Sequence, residues 1–235
     1  MSQWSGGAVA VIVAAGKSQR LGQDKLLIPL EGVPLLAWTV EVFEASPLVD
    51  RVVLVVNETN RAAVESLRQR RGWTKADWLV LGGPNRQDSV RNGLAETDGC
   101  QWVLIHDGAR PFVDEDIIRA GLTAVEATGA AIAAVPVKDT IKVVDANRRI
   151  VETPVRDALW AAQTPQVFRR SLIWEAYQRV SGPVTDDASL LEQLGHTVVV
   201  FPGSYENLKV TTPEDVELAR LIAARRAQSA RRPRL

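Results

Sequence analysis

VIVAAGKSQRLGQDK, residues 11–25, decides how the rest of the chain is read. An apolar run ends at Ala14-Ala15-Gly16, and the chain then turns polar and basic through Lys17, Arg20 and Lys25. An apolar run closed by small residues reads as a buried strand delivering a loop to its carboxyl end. In open α/β sheets that edge is where ligands bind. Small side chains let backbone N–H groups approach a phosphate, while Lys and Arg supply charge. Alone, the stretch fits either a nucleotide-phosphate loop or a tight strand-to-helix turn with solvated cations. It does not have the P-loop spacing.

Outward from this loop, apolar β-rich runs recur at 8–14, 52–56, 78–81, 102–105 and 131–135. Leu36, Val40 and Phe43 share a helical face after Pro34, as do Ile118, Leu122 and Val125 after Asp114. The more polar stretch 86–96 reads as a helix by position. Alternation of strands and helices predicts an α/β fold: a Rossmann-like, doubly wound, mostly parallel sheet with helices on both faces. Near-continuous apolar strands fit burial on both sides.

After Pro136 the pattern changes. Residues 139–144 and 149–154 flank a turn at Asp145-Ala146-Asn147, which predicts a β-hairpin arm over 137–156 inserted into the α/β chain. An isolated hairpin is marginal in water, so it packs either on its own domain or, exchanged, on a second protomer. The expected organisation is one domain over 1–225 that includes this arm, followed by a basic tail at 226–235 that frays from about Arg225. Residues 159–168 read as a mixed loop, 185–194 as a capped helix and 197–201 as a strand. Lys209 falls in a short strand before a helix with Thr212 as N-cap and Pro213 at its first position.

Composition limits the function classes. A chain of 235 residues can bury a substantial core. Lys plus Arg and Asp plus Glu number 28 each, so the formal net charge is zero and no global field argues for a nucleic-acid partner. Any anion site must be a local concentration of cations. The single Cys100 excludes an intrachain disulfide and suits a reducing compartment. With only His106 and His196 beside it, a structural zinc cluster is not available. The N-terminal apolar run is too short to span a membrane and has no basic n-region. A cytoplasmic protein without membrane or nucleic-acid partners is expected.

Two later landmarks repeat the strand-to-loop theme. In GGPNRQDSV, residues 82–90, glycines can bring backbone against a flat base and Ser89 can donate to a ring or ribose oxygen; an ordinary capped helix start fits equally. In VLIHDGARP, residues 103–111, a strand delivers Asp107 and Arg110 to the same sheet edge. Asp107 is then either a Mg²⁺ ligand shared with substrate phosphates or half of an ion pair with Arg110 that shapes the loop. His106 reads as packed rather than catalytic. Lys209, from its own surroundings, reads as a solvated cation.

AAGKSQRLGQDK resembles the signature loop of nucleotidyltransferases, and its RLGQDKLL portion is also similar to the molybdenum-cofactor guanylyl- and cytidylyltransferases. The downstream segments GGPNRQDSV, HDGARPF, PVKDTIK, LWAAQTPQVF, TDDAS and NLKVTTPED, in that order, resemble the 2-C-methyl-D-erythritol 4-phosphate cytidylyltransferase family of the non-mevalonate isoprenoid pathway. The resemblance runs from Ala8 to about Ala223. It implies that CTP and the polyol phosphate give the CDP-alcohol and pyrophosphate, by in-line attack of the acceptor phosphate on the α-phosphorus. A cytidylyltransferase for ribitol 5-phosphate, and a non-catalytic nucleotide-binding paralogue, are the alternatives.

The resemblance also implies roles. Arg20 and Lys25 match the pair that holds the triphosphate, with Ala14, Ala15, Gly16 and Ser18 as backbone cradle. Gly83, Ser89 and Gly108 lie where the family recognises cytosine and ribose, and Asp107 matches its magnesium ligand. Lys209 matches a lysine near the reacting phosphates, against its solvated reading. Arg110, Thr185 and, from a partner's arm, Thr140 and Arg156 match the acceptor-binding set. A homodimer with exchanged arms is implied. Ser18 replaces a frequent glycine, GQDK lacks the proline usual before the lysine, Pro84 stands where an acidic residue is common, and Gly108 replaces an alanine.

Overall fold

The computed structural model describes residues 7–16 and 24–231. In chain order the strands are β1 (Ala8–Val13), β2 (Pro29–Leu30), β3 (Val33–Pro34), β4 (Arg51–Val56), β5 (Trp78–Leu81), β6 (Trp102–Asp107), β7 (Ala130–Pro136), β8 (Val143–Val144), β9 (Ile150–Glu152), β10 (Trp160–Arg169) and β11 (Val199–Pro202). The helices are α1 (Leu35–Ala45), α2 (Arg61–Arg71), α3 (Arg86–Ala95), α4 (Glu115–Thr128), α5 (Arg170–Arg179), α6 (Ala188–Gln193) and α7 (Pro213–Arg231). Seven strands form one sheet in the order β11-β7-β10-β6-β1-β4-β5. The β1–β4, β1–β6, β4–β5 and β7–β11 pairs are parallel, so the predicted α/β sheet is the one observed.

Alternation along the central strands builds a core on each side. Ala8, Ala10 and Ile12 of β1 join Val52 and Leu54 of β4 on one face, with α1, α2, α4 and α7 covering them. Val9, Val11, Val53 and Val55 point to the other, beneath α3, α5 and α6. Period-two side-chain direction in strands buried on both faces explains why these runs are apolar without interruption. Asp114 caps α4, accepting from Ile117 N–H, and Asn85 caps α3, accepting from Asp88 N–H.

Three expectations are corrected. Residues 159–168 are not a loop but most of β10, which runs antiparallel between β6 and β7. Its Gln163, Thr164 and Gln166 are buried yet polar because they hydrogen-bond to the Ser204 carbonyl, His106 and Asp186, and that erased the strand's apolar signature. Lys209 is in no strand: the chain there is irregular, held by Val210 N–H to the Ala109 carbonyl and by Asn207 Nδ2 to the Thr164 carbonyl. Helix α7 runs through Arg225 to Arg231, where a fraying tail was expected, and the rest of that tail lies outside the described residues. Arg226 donates to the Phe112 carbonyl, lies over the Phe112 ring at 5.2 Å and, with Arg225, pairs with Glu206. Thr212 does cap α7, accepting from Asp215 N–H while Asp215 accepts from the N–H groups of Thr211 and Thr212.

The arm is a hairpin of β8 and β9, with Asp145 closing the turn by accepting from the N–H groups of Asn147 and Arg149. Its root is pinned where Val137 N–H donates to Leu159 and Trp160 pairs with Pro136. Ile150, Val151 and Val155 on it are 61%, 62% and 74% exposed, large apolar side chains uncovered within one protomer.

Candidate functional site

Because β1, β4, β5 and β6 are parallel, their carboxyl ends open on one edge, and the segments after them wall a cavity of about 890 Å³. Ala14, Ala15 and Gly16 follow β1, Asn57 follows β4, Gly82 and Gly83 follow β5, and Asp107 ends β6. Lys25 and Lys209 complete the wall. The β5 turn needs glycine for space. A Cβ at Gly82 would sit 2.4 Å from Ala15 Cβ, and one at Gly83 would sit 2.2 Å from Asp88 Cβ. Ser89 Oγ ties this turn down, accepting from Gly83 N–H at 3.1 Å and donating to the Asn85 carbonyl at 2.9 Å. Its hydroxyl hydrogen is therefore engaged, which leaves Ser89 an acceptor for a ligand.

A smaller cavity of about 290 Å³ adjoins the first and shares Arg86, Asp107 and Lys209 with it. Arg110, Thr185, Asp186, Gln163, Thr164 and Gln166 supply its remaining polar wall. Asp107 sits at the junction, 9% exposed at its side chain. Lys209 Nζ lies 2.8 Å from Oδ2, Arg86 Nε 3.3 Å from Oδ1, and Arg110 Nε 3.7 Å from Oδ2. Burial alone would raise the Asp107 pKa, but Arg86 and Lys209 beside it hold the carboxyl well below the usual carboxylate range. The Asp107–Arg110 pairing weighed as an alternative is thus present within a larger cationic cluster.

Arg86 is the residue that sequence reasoning missed. Its two terminal nitrogens grip both oxygens of Asp187 at 3.1 and 2.8 Å while Nε reaches Asp107, so one guanidinium bridges two carboxylates. Asp187 is fully buried and also accepts from Tyr177 Oη at 2.5 Å. Burial and the Asp187 charge push the Tyr177 phenol up, which keeps it the donor. Arg86 and Asp187 are 101 residues apart, and both sit in motifs that read as ordinary helix starts.

His106 is fully buried beneath this cluster. Asp107 N–H donates to Thr164 Oγ1 at 3.1 Å, and Thr164 Oγ1 lies 3.0 Å from His106 Nδ1. Nε2 faces the Arg110 carbonyl at 3.3 Å and must donate there, so Thr164 donates to Nδ1 and the ring is neutral. Burial pushes the His106 pKa down to about 4. The unfolded ring binds a proton below its ordinary 6.5 while the folded ring does not until about 4, so stability falls as pH drops between these values. The expected loss is about 3 kcal/mol. Chemical denaturation at pH 7 and pH 4.5 checks it: His106→Gln should flatten the slope, and an equal slope in the variant would exclude this ring as its source.

Other expected site residues are placed as follows. Lys25 Nζ donates to the Val210 carbonyl at 2.9 Å, tying the basic end of the first loop to the segment that carries Lys209. Gly108 is buried behind the wall, its N–H on the Val13 carbonyl and its own carbonyl accepting from Thr39 Oγ1. The structure does not bring it to the wall of either cavity. Thr140 and Arg156 lie exposed on the arm, away from both cavities of their own protomer. Ser18 and Arg20 lie outside the described residues. Among the described residues, no group of three or more His, Cys, Asp or Glu could hold a metal ion unaided.

A buried neutral histidine, one ionised carboxylate and converging cations form no acid–base pair. They suit polyphosphate chemistry, where positioning and charge stabilisation dominate. The family profile of 2-C-methyl-D-erythritol 4-phosphate cytidylyltransferase, IspD, matches residues 8–225. A Dehalococcoides mccartyi protein of that name is 47% identical over 214 residues, covering 91% of this chain and 94% of that one. One from Alkaliphilus oremlandii is 46% identical over 225 residues, with 93% and 95% covered. Among solved structures, 4-diphosphocytidyl-2C-methyl-D-erythritol synthase from Anaerococcus prevotii superposes with a TM-score of 0.84 at 30% identity, covering 93% of this chain and 99% of that one. The Thermus thermophilus 2-C-methyl-D-erythritol 4-phosphate cytidylyltransferase gives 0.75 at 29% identity, with 91% and 98% covered. A match across this span, on a fold whose strand ends converge as described, makes the chain a member of the 2-C-methyl-D-erythritol 4-phosphate cytidylyltransferase family.

Proposed function

We propose that this chain joins CTP to 2-C-methyl-D-erythritol 4-phosphate, releasing pyrophosphate and forming the CDP-alcohol of isoprenoid biosynthesis. The observation that carries the proposal is the wall common to the two cavities: Asp107, Arg86 and Lys209 face both, so that is where two phosphorylated substrates would meet. The larger cavity lies within the range of about 300–1,000 Å³ usual for small-molecule sites. CTP would occupy it, with Ala14, Ala15, Gly16, Ser18, Gly83 and Ser89 around the nucleotide and Arg20 and Lys25 on the triphosphate. The acceptor would occupy the smaller one, against Arg110 and Thr185.

The acceptor phosphate is largely ionised at neutral pH, since its second pKa lies at about 6. It needs no general base, and none is offered. Its oxygen attacks the α-phosphorus in line and pyrophosphate leaves. Lys209 stabilises the negative charge gathering on the phosphoryl oxygens, and Lys25 and Arg20 hold the departing diphosphate. Asp107, ionised and on the common wall, fits the single carboxylate that Mg²⁺ takes beside substrate phosphates and water. The ion, when bound there, neutralises phosphate charge.

A homodimer with exchanged arms would cover the exposed Ile150, Val151 and Val155 and bring a partner's Thr140 and Arg156 to the acceptor. A cytoplasmic setting fits the free Cys100. No described helix is long and apolar enough to cross a membrane. Pyrophosphate release from CTP and Mg²⁺ is the test, run with a panel of polyol phosphates beside a measurement of mass in solution. Methylerythritol phosphate should be the preferred acceptor and the mass that of a dimer. Preference for ribitol 5-phosphate would move the assignment to that acceptor, absence of turnover with any acceptor would favour a non-catalytic paralogue, and a monomeric mass would remove the exchanged arm.

A further inference from the structure

Asn60 stands at the N-cap of α2, where an asparagine ordinarily turns its side-chain oxygen to the helix's own N–H groups. It does not do so here. Its side chain, in a residue only 2% exposed, turns toward the first loop, where Nδ2 donates to the Ala14 carbonyl at 2.9 Å. Oδ1 accepts from Asn57 N–H at 2.9 Å. Asn57 mirrors it: Oδ1 accepts from Asn60 N–H at 2.8 Å, and Nδ2 donates to the Ala15 carbonyl at 3.2 Å. Two amides, each fixed by the other's backbone, thus grip successive carbonyls of the cavity wall.

We infer that Asn57 and Asn60 are positioning residues for the nucleotide, acting through the peptide planes after β1. This rests on the reading that the larger cavity takes CTP. In a trans peptide the C=O and N–H point in opposite directions, so fixing the Ala14 and Ala15 carbonyls also fixes the N–H groups of Ala15 and Gly16. A ligand read by backbone groups binds tightly only if those planes are set beforehand; otherwise ordering them subtracts from affinity. The same reciprocal bonds, with Arg61 N–H on the Asn57 carbonyl, close the turn that leads into α2, so the clasp is anchored at a helix start. Loop and clasp come from different strands, β1 and β4, joined through the Ala14 N–H bond to the Val55 carbonyl.

Asn60→Asp tests the inference, because a carboxylate still accepts from Asn57 N–H but cannot donate to Ala14. CTP with Mg²⁺ is titrated into the full chain, and KM is measured separately for CTP and methylerythritol phosphate. The Kd and KM for CTP should rise about tenfold with the acceptor KM within about twofold; a buried carboxylate facing a carbonyl also lowers the melting temperature, so the split between the two substrates is the readout. Asn57→Asp, at a less buried residue, should raise the CTP values by a smaller factor, and it carries the test if the first variant does not fold. CTP binding unchanged in both variants would overturn the inference. So would a parallel loss for both substrates, since that marks a merely structural role. Failure of the unaltered chain to bind CTP would instead overturn the nucleotide reading.

Discussion

Lys209→Ala is expected to lower the turnover of pyrophosphate release by about 10²–10³-fold, the range for removing one donor from a developing oxyanion. The ammonium lies on the wall common to both cavities and is held 2.8 Å from Asp107, so it is aimed before substrate arrives. With its side chain 39% exposed, little packing goes with it, and the folded state should hardly change. Lys209→Arg should restore part of the rate, because the charge returns but a planar fork does not place it at the same point. Turnover of Lys209→Ala close to that of the unaltered chain would refute the role.

Arg86→Met should produce the largest loss of stability. It removes the only cation hydrogen-bonded to Asp187 among the described residues, while Asp187 itself stays fully buried. Breaking a buried pair from one side costs about 3–5 kcal/mol, because a charge is left uncompensated. Denaturant titration at pH 7 measures it. A loss under about 1 kcal/mol at pH 7 would mean that the guanidinium is dispensable to the fold.

The parallel core was legible because its physics is local. Strands buried on both faces must be apolar without interruption, and the runs at 8–14, 52–56 and 102–105 obey that rule. Asp107 and the first loop were legible because strand ends in such sheets face ligands. β10 was hidden because Gln163, Thr164 and Gln166 satisfy their polar groups inside the protein, which inverts the pattern expected of a central strand. Arg86 was hidden because its meaning lies in a carboxylate 101 residues away. Asn60 carries no signal in the sequence; only the direction of its side chain, a matter of tertiary packing, sets it apart.

The arm leaves the sheet at the end of β7 and returns at the start of β10, and these two points are hydrogen-bonded neighbours. Its ends are closed whatever its length, and each doubling of such an excursion adds only about 0.6 kcal/mol of closure entropy. Insertions and deletions there would leave the seven-stranded sheet in register. The nucleotide side has no such freedom, since β1, β4 and β6, which carry much of its wall, are each locked to a neighbour on both sides. The molecule is therefore unevenly evolvable: the arm can change length while the strands that carry the cavity wall stay fixed.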